Sequence, residues 1–187
     1  MNDRDYSQLV KSNIAPIFHV LSNEQQIMQR TDQKAFTMLS ILGVFMVFFI
    51  IHFLKININW FNVAMVVSYF ISAFFAIINL VLVIVPRIKN DKNGEMDIAD
   101  NPTYFGGISK FNSPVEYANH FENVFSREGQ VFEMFAHQVY ALGKINSYKN
   151  NALKRAILFF AIAIISELLI IMSMAWARAL PYLFPAS

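Results

Sequence analysis

The sequence contains no cysteine among its 187 residues, and only 15% of its residues are charged. The absence of cysteine excludes disulfide bonds and thiolate metal sites. The scarcity of charge excludes an ordinary soluble domain, because 56% of the residues are hydrophobic and the mean hydropathy is +0.40. The net charge of +2 is too small to indicate a nucleic-acid partner.

Motifs that carry catalysis are also missing. The sequence has no Walker loop, no GxSxG elbow and no pair of carboxylates arranged for acid–base catalysis. Its 4 histidines do not have the spacing of metal ligands, and there is no HExxH pattern. We therefore expect a protein that is not an enzyme and that needs neither a metal nor a cofactor.

Long apolar runs dominate the sequence. They cover residues 35–54, 60–85 and 156–177, and each has about 20 residues or more, which is enough to cross a bilayer as a helix. None resembles a cleavable signal peptide, because the first begins well inside the chain and no small-residue cleavage site follows it. We predict an all-α integral membrane protein with three transmembrane helices and a small helical cytosolic domain continuous with the last span.

The distribution of lysine and arginine predicts the orientation of the spans. Most basic residues near the span ends fall on one side, whereas only Lys55 and Arg178 fall on the other. The positive-inside rule then places the N-terminus in the cytosol and the C-terminus outside. The predicted segments are a cytosolic N-terminal helical segment (1–34), a helical hairpin of two spans (35–85), a cytosolic ligand-sensing region (86–155), the third span (156–178) and an external tail (179–187).

The stretch from Glu128 to Ala177 predicts one helix that joins the cytosolic region to the third span. It has no proline, its apolar residues recur at helical spacing, and it becomes continuously apolar from Ala156. Such a helix would be roughly 75 Å long, whereas a bilayer core is only about 30 Å thick, so the helix must project into solvent. Gly143 and the polar cluster at residues 146–151 are weak helix formers and leave a kink or break open.

The other segments are predicted to be helical and to form only a small hydrophobic core by themselves. Residues 1–34 form an amphipathic pattern with a kink at Pro16, and this helix either packs on the soluble part or lies on the membrane surface. The sequence SPVE from Ser113 is a capping box that predicts a helix to about Phe125, and we expect Ser126 to cap the next helix. Because the cytosolic region is small, we expect it to pack on the N-terminal segment and on other protomers.

Two polar side chains within the predicted spans are candidates for gating. Glu167 lies near the middle of the third span, where a charged group costs several kcal/mol unless it is paired, hydrated or protonated. It either lines a water-filled path or protomer contact that changes state, or it is a neutral acid that holds helices together through Asn79 or a serine. Asn79 belongs to a row of small and polar residues, and we expect its amide to find a partner on a neighbouring helix.

Several short motifs follow one another in a recognisable order. They are TDQKA before the first span, VPR at the end of the second, then YFGGISKF, SPVEY and, before the last span, QVYALGKINSYKNNALKRA. In these pieces, from about Thr31 to Ala177, the chain resembles the small membrane effectors of bacterial Pycsar antiphage systems. It departs from the usual family pattern at Tyr104–Phe105, where two phenylalanines are more common.

The resemblance implies a cyclic-nucleotide-gated membrane effector. A partner cyclase, activated by phage infection, would make a cyclic pyrimidine mononucleotide such as cCMP or cUMP. The cytosolic part would bind this ligand, and the membrane part would disrupt the bacterial inner membrane and cause abortive infection. We expect a closed homo-oligomer, because one ligand per small protomer has to reorganise a membrane.

The position of the motifs and the chemistry of their side chains indicate a ligand-binding region. Cations would neutralise the phosphate, aromatic rings would stack on the base, and an amide would read the base edge. The glycine pair Gly106–Gly107 permits either a turn or the close approach of a ligand. A constitutive channel or transporter subunit and a structural membrane scaffold remain the alternatives. The residues expected at the ligand are Arg87, Tyr104, Phe105, Gly106, Gln138 and Lys149.

Overall fold

The protein is all-helical in its computed structural model, as the sequence predicts. The structure describes residues 3–53, 58–85, 102–103, 105–126 and 128–183, and no strand forms in these ranges. For residues 3–14, 105–106, 128–130 and 180–183 it describes the backbone alone. The described helices are α1 (Asp3–Phe53), α2 (Trp60–Ile84), α3 (Phe105–Ile108), α4 (Pro114–Phe125) and α5 (Glu128–Leu183).

Three of the described helices are long and apolar enough to span a membrane, which confirms the predicted number of spans. The qualifying stretches are Ala15–Phe53 in α1, Trp60–Ile84 in α2 and Val131–Ala179 in α5. Many large apolar side chains on these helices face outward, and Ile50 and Phe74, for example, are 63% and 62% exposed. An apolar surface of this kind suits lipid or other helices and not water.

Helix α1 unites two segments that the sequence prediction treated separately. The N-terminal segment and the first span form one helix of 51 residues that includes Pro16. Proline has no backbone N–H and removes one hydrogen bond from a helix, but the residues on both sides of Pro16 are helical. Helix α1 therefore joins the N-terminal segment to the first span without a break, as α5 joins its own N-terminal part to the third span.

Helix α5 confirms the predicted junction between the region after α4 and the third span. It is one helix of 56 residues, and neither Gly143 nor the polar cluster after it interrupts the helix. The side chain of Asn146 bonds to another helix, which removes it from competition with the backbone of α5. The helix ends at Leu183, beyond Arg178, where the sequence predicts the span to end.

The capping box before α4 forms largely as predicted. The Ser113 side chain accepts a hydrogen bond from the backbone N–H of Glu116, and proline occupies the first turn. The Glu116 carboxylate accepts from the N–H of Asn112 at 3.1 Å, one residue before the cap. The prediction for Ser126 is wrong, because this residue is the C-cap of α4 and its hydroxyl donates to the carbonyl of Glu122 at 2.7 Å.

Removal of the Ser113 cap is expected to destabilise α4. Ser113→Ala leaves the Glu116 N–H without its acceptor and should cost about 1 kcal/mol of unfolding free energy. Thermal unfolding followed by circular dichroism in detergent micelles would measure the loss. Ser113→Asp retains an acceptor and is expected to unfold close to the wild-type temperature, so equal losses in both variants would contradict a capping role.

Gly143 offers the opposite test, because the structure leaves room for a side chain there. A Cβ atom added to Gly143 would meet nothing within 4 Å. Gly143→Ala is therefore expected to stabilise α5 by about 0.5–1 kcal/mol, since alanine loses less backbone entropy in a helix. The unfolding temperature in micelles would rise, whereas Ala141→Gly in the same helix should lower it. A fall in both variants would show that Gly143 has a packing role.

The chain divides into two compact units. Unit 1 comprises Met1–Gln29 and Arg87–Ser147, and unit 2 comprises Arg30–Pro86 and Tyr148–Ser187. Helices α1 and α5 each contribute residues to both units, whereas α2 lies wholly in unit 2 and α3 and α4 lie wholly in unit 1.

Unit 1 is held together by packing of the N-terminal part of α1 on α4 and α5. Its core is the cluster of Leu21, Val131, Met134, Phe135 and Leu142, with the half-buried Ile17, Met28, Val124, Phe125 and Val139 packed against it. This confirms the expectation that the small region after the second span is completed by the N-terminal segment.

Unit 2 is a bundle of α1, α2 and α5. Small residues such as Ala76 and Ala163, both 0% exposed, let the helix backbones approach closely. Phe49 of α1 stacks on Tyr69 of α2 with ring centroids 4.2 Å apart. A second cluster, which contains Ala35 of α1 and Ala156 of α5, lies where the apolar runs of these helices begin.

Candidate functional site

The glycine-rich stretch forms a single helical turn in unit 1. Gly106 and Gly107 both lie in α3, and Gly107 is buried. The turn continues into hydrogen bonds from the N–H of Lys110 to the carbonyl of Gly107 at 3.2 Å and from the N–H of Phe111 to that of Ile108 at 3.3 Å. The pair therefore belongs to a compact turn, and its use in close approach of a ligand stays a prediction.

Gln138 lies beneath the residues that precede this turn. It is 6% exposed, and its Oε1 atom accepts a hydrogen bond from the Thr103 hydroxyl at 3.2 Å. The hydroxyl of Tyr117 donates to the carbonyl of the neighbouring Pro102 at 3.0 Å. Residues 102–103 are thus attached to both α4 and α5, and the Gln138 amide is held in a defined orientation.

An aromatic cluster surrounds this region of unit 1. The ring of Phe111 contacts those of Tyr117 and His120, with centroids 5.4 and 5.2 Å away. Phe121 stacks on Phe125 at 4.1 Å. The rings that α4 contributes to this cluster are half-buried or exposed, and the cluster supplies flat apolar surfaces of the kind on which a nucleobase stacks.

The remaining residues of the predicted ligand-binding region are described incompletely. Arg87 and Tyr104 lie outside the described residues. Phe105 and Gly106 are described by their backbone, which places them in α3. Their expected roles with the phosphate and the base stay predictions.

Lys149 belongs to unit 2 and is already paired. Its Nζ atom lies 2.6 Å from Oδ1 of Asp32, and the two side chains are 6% and 31% exposed. The ammonium group that we expect at a ligand phosphate is therefore neutralised by an aspartate of α1. Sequence reasoning noted Asp32 only as a residue before the first span, so this partner was missed.

A second contact between α1 and α5 lies in unit 1 and was also missed. The amide nitrogen of the buried Asn146 donates to the backbone carbonyl of Glu24 at 2.8 Å and to its carboxylate at 2.6 Å. The sequence marks Asn146 only as a weak helix former. Its position four residues after Leu142, which packs in one cluster with Leu21 of α1, would have been the signal that it faces α1.

Glu167 occupies a buried position among polar groups within unit 2. It is 2% exposed, and its Oε2 atom has no hydrogen-bond partner among the residues that the structure describes. Within the same residues, the buried hydroxyl of Tyr69 also has no hydrogen-bond partner. The adjacent Ser166 donates to Ser68 of α2 at 3.1 Å, so this serine pair makes a polar contact between the two helices.

The prediction for Asn79 is wrong in one respect. Its amide does not reach a neighbouring helix but donates to the carbonyl of Phe75 on its own helix at 2.8 Å. An asparagine within a helix can satisfy its amide on the carbonyl four residues earlier, which the sequence prediction did not consider. Asn79 is buried, but no hydrogen bond joins it to Glu167 in the described part of the chain.

The described residues do not assemble a metal site. Within residues 3–53, 58–85, 102–103, 105–126 and 128–183, no group of three His, Asp or Glu side chains is arranged to hold an ion.

A comparison with known families identifies the domain. The family model of the Pycsar effector protein domain matches residues 17–177 of the chain. The chain belongs to the Pycsar effector family. No curated protein and no solved structure matches it significantly. The matched range includes residues of both units, so the Pycsar effector domain is not confined to the spans or to unit 1.

Membership gives the protein a role in Pycsar antiphage defence. Membership of this family implies a cyclic nucleotide signal, which a partner cyclase makes. All residues that the sequence singles out for ligand binding or gating, from Asn79 to Glu167, lie inside the matched range.

Proposed function

We propose that this Pycsar effector binds a cyclic pyrimidine mononucleotide, cCMP or cUMP, and then disrupts the inner membrane to cause abortive infection. The observation that carries the proposal is the organisation of the family domain. A small aromatic-rich unit and a unit with three membrane-long helices share the two helices α1 and α5. Because these helices belong to both units, they offer a path by which a ligand bound to the first unit would bias the second.

Unit 1 provides the groups for recognition of the base. Gln138 offers an oriented amide, and the rings around Phe111 offer stacking surfaces. The ligand phosphate would be neutralised by Arg87 and Lys149. Because Lys149 is paired with Asp32, the phosphate would compete with that carboxylate for the ammonium group.

This competition for the Lys149 ammonium group gives the ligand a way to change the conformational state of the protein. A ligand shifts a two-state equilibrium only by the difference in its affinity for the two states, and a change from 1:99 to 99:1 requires about 5.5 kcal/mol. Exchange of the Asp32 partner for a phosphate would alter the contact between α1 and α5 in unit 2. The protein acts in this scheme as a homo-oligomeric binding protein without catalysis, with its N-terminus in the cytosol.

Dye leakage from liposomes that contain the purified protein tests the proposal. We expect leakage after addition of either cCMP or cUMP, and none with other cyclic mononucleotides or with cyclic di- and trinucleotides. Leakage without any nucleotide would favour a constitutive channel. Absence of leakage under all conditions, with the protein shown to be inserted and folded, would favour a scaffold.

Binding measurements on variants test the assignment of the ligand contacts. Arg87→Ala and Lys149→Ala are each expected to weaken nucleotide binding about tenfold or more, because each removes a charge-assisted contact to the phosphate. Lys154→Ala is the matched control, since it removes an exposed cation of α5 near Lys149. Normal binding by both test variants would remove these residues from the site.

A further inference from the structure

A shallow open groove lies on the surface of unit 2, and none of its lining residues takes part in the proposal above. It is lined mainly by consecutive turns of α1, with one residue from α5. The lining residues are Arg30, Gln33, Lys34, Thr37, Met38 and Ile157. Arg30 and Lys34 are four residues apart and so lie on one face of the helix, next to the polar Gln33 and Thr37.

The two cations of the groove carry uncompensated charge. Arg30 and Lys34 are exposed, and no carboxylate pairs with either of them in the described part of the chain. The acidic residue that lies between them in sequence, Asp32, is bound to Lys149 at 2.6 Å. The pair of cations therefore presents donors and positive charge to any anion that enters the groove.

The groove lies at the level where the apolar runs begin. Ala35 of α1 packs in one cluster with Ala152, Leu153 and Ala156 of α5, so the starts of the two runs are at the same height in unit 2. The apolar side chains of Met38 and Ile157 form the part of the lining that follows the cations along these runs. The positive charge of the groove matches the anionic headgroup of a membrane lipid, and the apolar lining beside it matches the first part of the acyl chain.

From these observations we infer that the groove binds the phosphate of an anionic phospholipid, with Arg30 and Lys34 as its ligands and Met38 and Ile157 against the acyl chain. A cyclic nucleotide also carries a phosphate, but the groove has no aromatic side chain on which a base could stack. A lipid satisfies both halves of the lining, whereas a nucleotide satisfies only the charged half.

Binding at this groove would act on the same segment of α1 that holds the Asp32–Lys149 pair. A bound headgroup holds the residues on both sides of Asp32 at the membrane surface. The composition of the membrane would then affect how readily the effector changes state. The inference concerns lipid binding alone and does not depend on which nucleotide, if any, the protein recognises.

Native mass spectrometry of the full-length protein in a neutral detergent tests this site. Phosphatidylglycerol and phosphatidylcholine with identical acyl chains are added at equal concentrations. We expect bound phosphatidylglycerol on the wild-type protein and about tenfold weaker binding by Arg30→Gln/Lys34→Gln, because two charge-assisted contacts are lost. Arg30→Lys/Lys34→Arg keeps both charges and should retain binding.

Lys154→Gln/Arg155→Gln is the matched control. It removes the same charge from exposed residues at the same end of the apolar run in α5, but it leaves the groove intact. Equal loss of lipid in both double variants, or no loss in either, would overturn a defined site. Displacement of the lipid from wild-type protein by inorganic phosphate would assign the groove to a soluble phosphate and overturn the lipid assignment. Leakage of vesicles made only of phosphatidylcholine reports on the proposed function separately.

Discussion

Asp32→Asn is expected to destabilise the protein by about 3 kcal/mol, because it leaves the buried Lys149 ammonium without its counter-charge. Lys149 is only 6% exposed, whereas Asp32 is 31% exposed. Loss of the lysine should therefore cost less, about 1 kcal/mol for Lys149→Met, since water can reach the remaining carboxylate. The two halves of this ion pair are not equivalent.

Thermal unfolding of the two single variants and of the double variant in detergent micelles would measure this asymmetry. We expect Asp32→Asn/Lys149→Met to be close to the wild type, because neither an ammonium nor a carboxylate is then left unpaired. Costs that are equal for the single variants and additive in the double variant would show that the ion pair is not coupled. Glu133→Gln, which changes an exposed carboxylate of α5, serves as the control for loss of one negative charge.

The same variant separates two roles of Lys149. If Lys149 binds the ligand phosphate, Asp32→Asn removes its competitor, and nucleotide affinity should rise in the fraction of protein that is folded. If Lys149 only stabilises unit 2, Asp32→Asn should leave nucleotide affinity unchanged. Isothermal titration with cCMP and cUMP distinguishes these outcomes from the change in stability.

Glu167→Gln is expected to reduce membrane leakage at least about tenfold while nucleotide binding stays within about twofold of the wild type. Glu167 is buried within the bundle of unit 2, and none of the described residues forms a hydrogen bond with its Oε2 atom. A carboxylate in this position favours an arrangement in which it becomes hydrated or paired. Glutamine has nearly the same shape but cannot carry the charge, so it should favour the packed arrangement.

Liposome leakage and growth arrest on expression would measure the effect, and nucleotide titration would show that unit 1 is unaffected. Ser166→Ala is a useful neighbour control, because it removes the hydrogen bond to Ser68 without changing charge. Wild-type leakage in Glu167→Gln would leave Glu167 as a residue of helix packing. An equal loss in Ser166→Ala would show that any change at this level of α5 disturbs the bundle.

Local features of the fold were predictable because their causes lie within a few residues. The capping box at Ser113 depends on side-chain and backbone atoms of the same turn, and it forms with its bond to Glu116. The absence of proline between Glu128 and Ala177 permits the continuous helix that α5 shows. Prediction was wrong at Ser126, which lies between two helices. Spacing alone does not show whether such a residue caps the end of the first helix or the start of the second, and Ser126 caps the end of α4.

By itself, the sequence determined the class of the protein. Apolar run length, scarcity of charge and helical periodicity are properties of neighbouring residues, and they were enough to predict three spans and an all-helical chain. The ordered motifs were enough to recognise the family that the domain match confirms. These features are the same for every arrangement of the helices, because none of them depends on which helix lies beside which.

Only the tertiary structure decided which polar groups are paired. Lys149 lies 117 residues from Asp32, and Asn146 lies 122 residues from Glu24, so neither contact has a local signal. Asn79 bonds to its own helix, and no hydrogen bond joins it to Glu167 among the residues that the structure describes. The packing of α1 against α5 determines these pairs, because a buried charged or amide group pairs with the complementary group that the neighbouring helix places within hydrogen-bond distance.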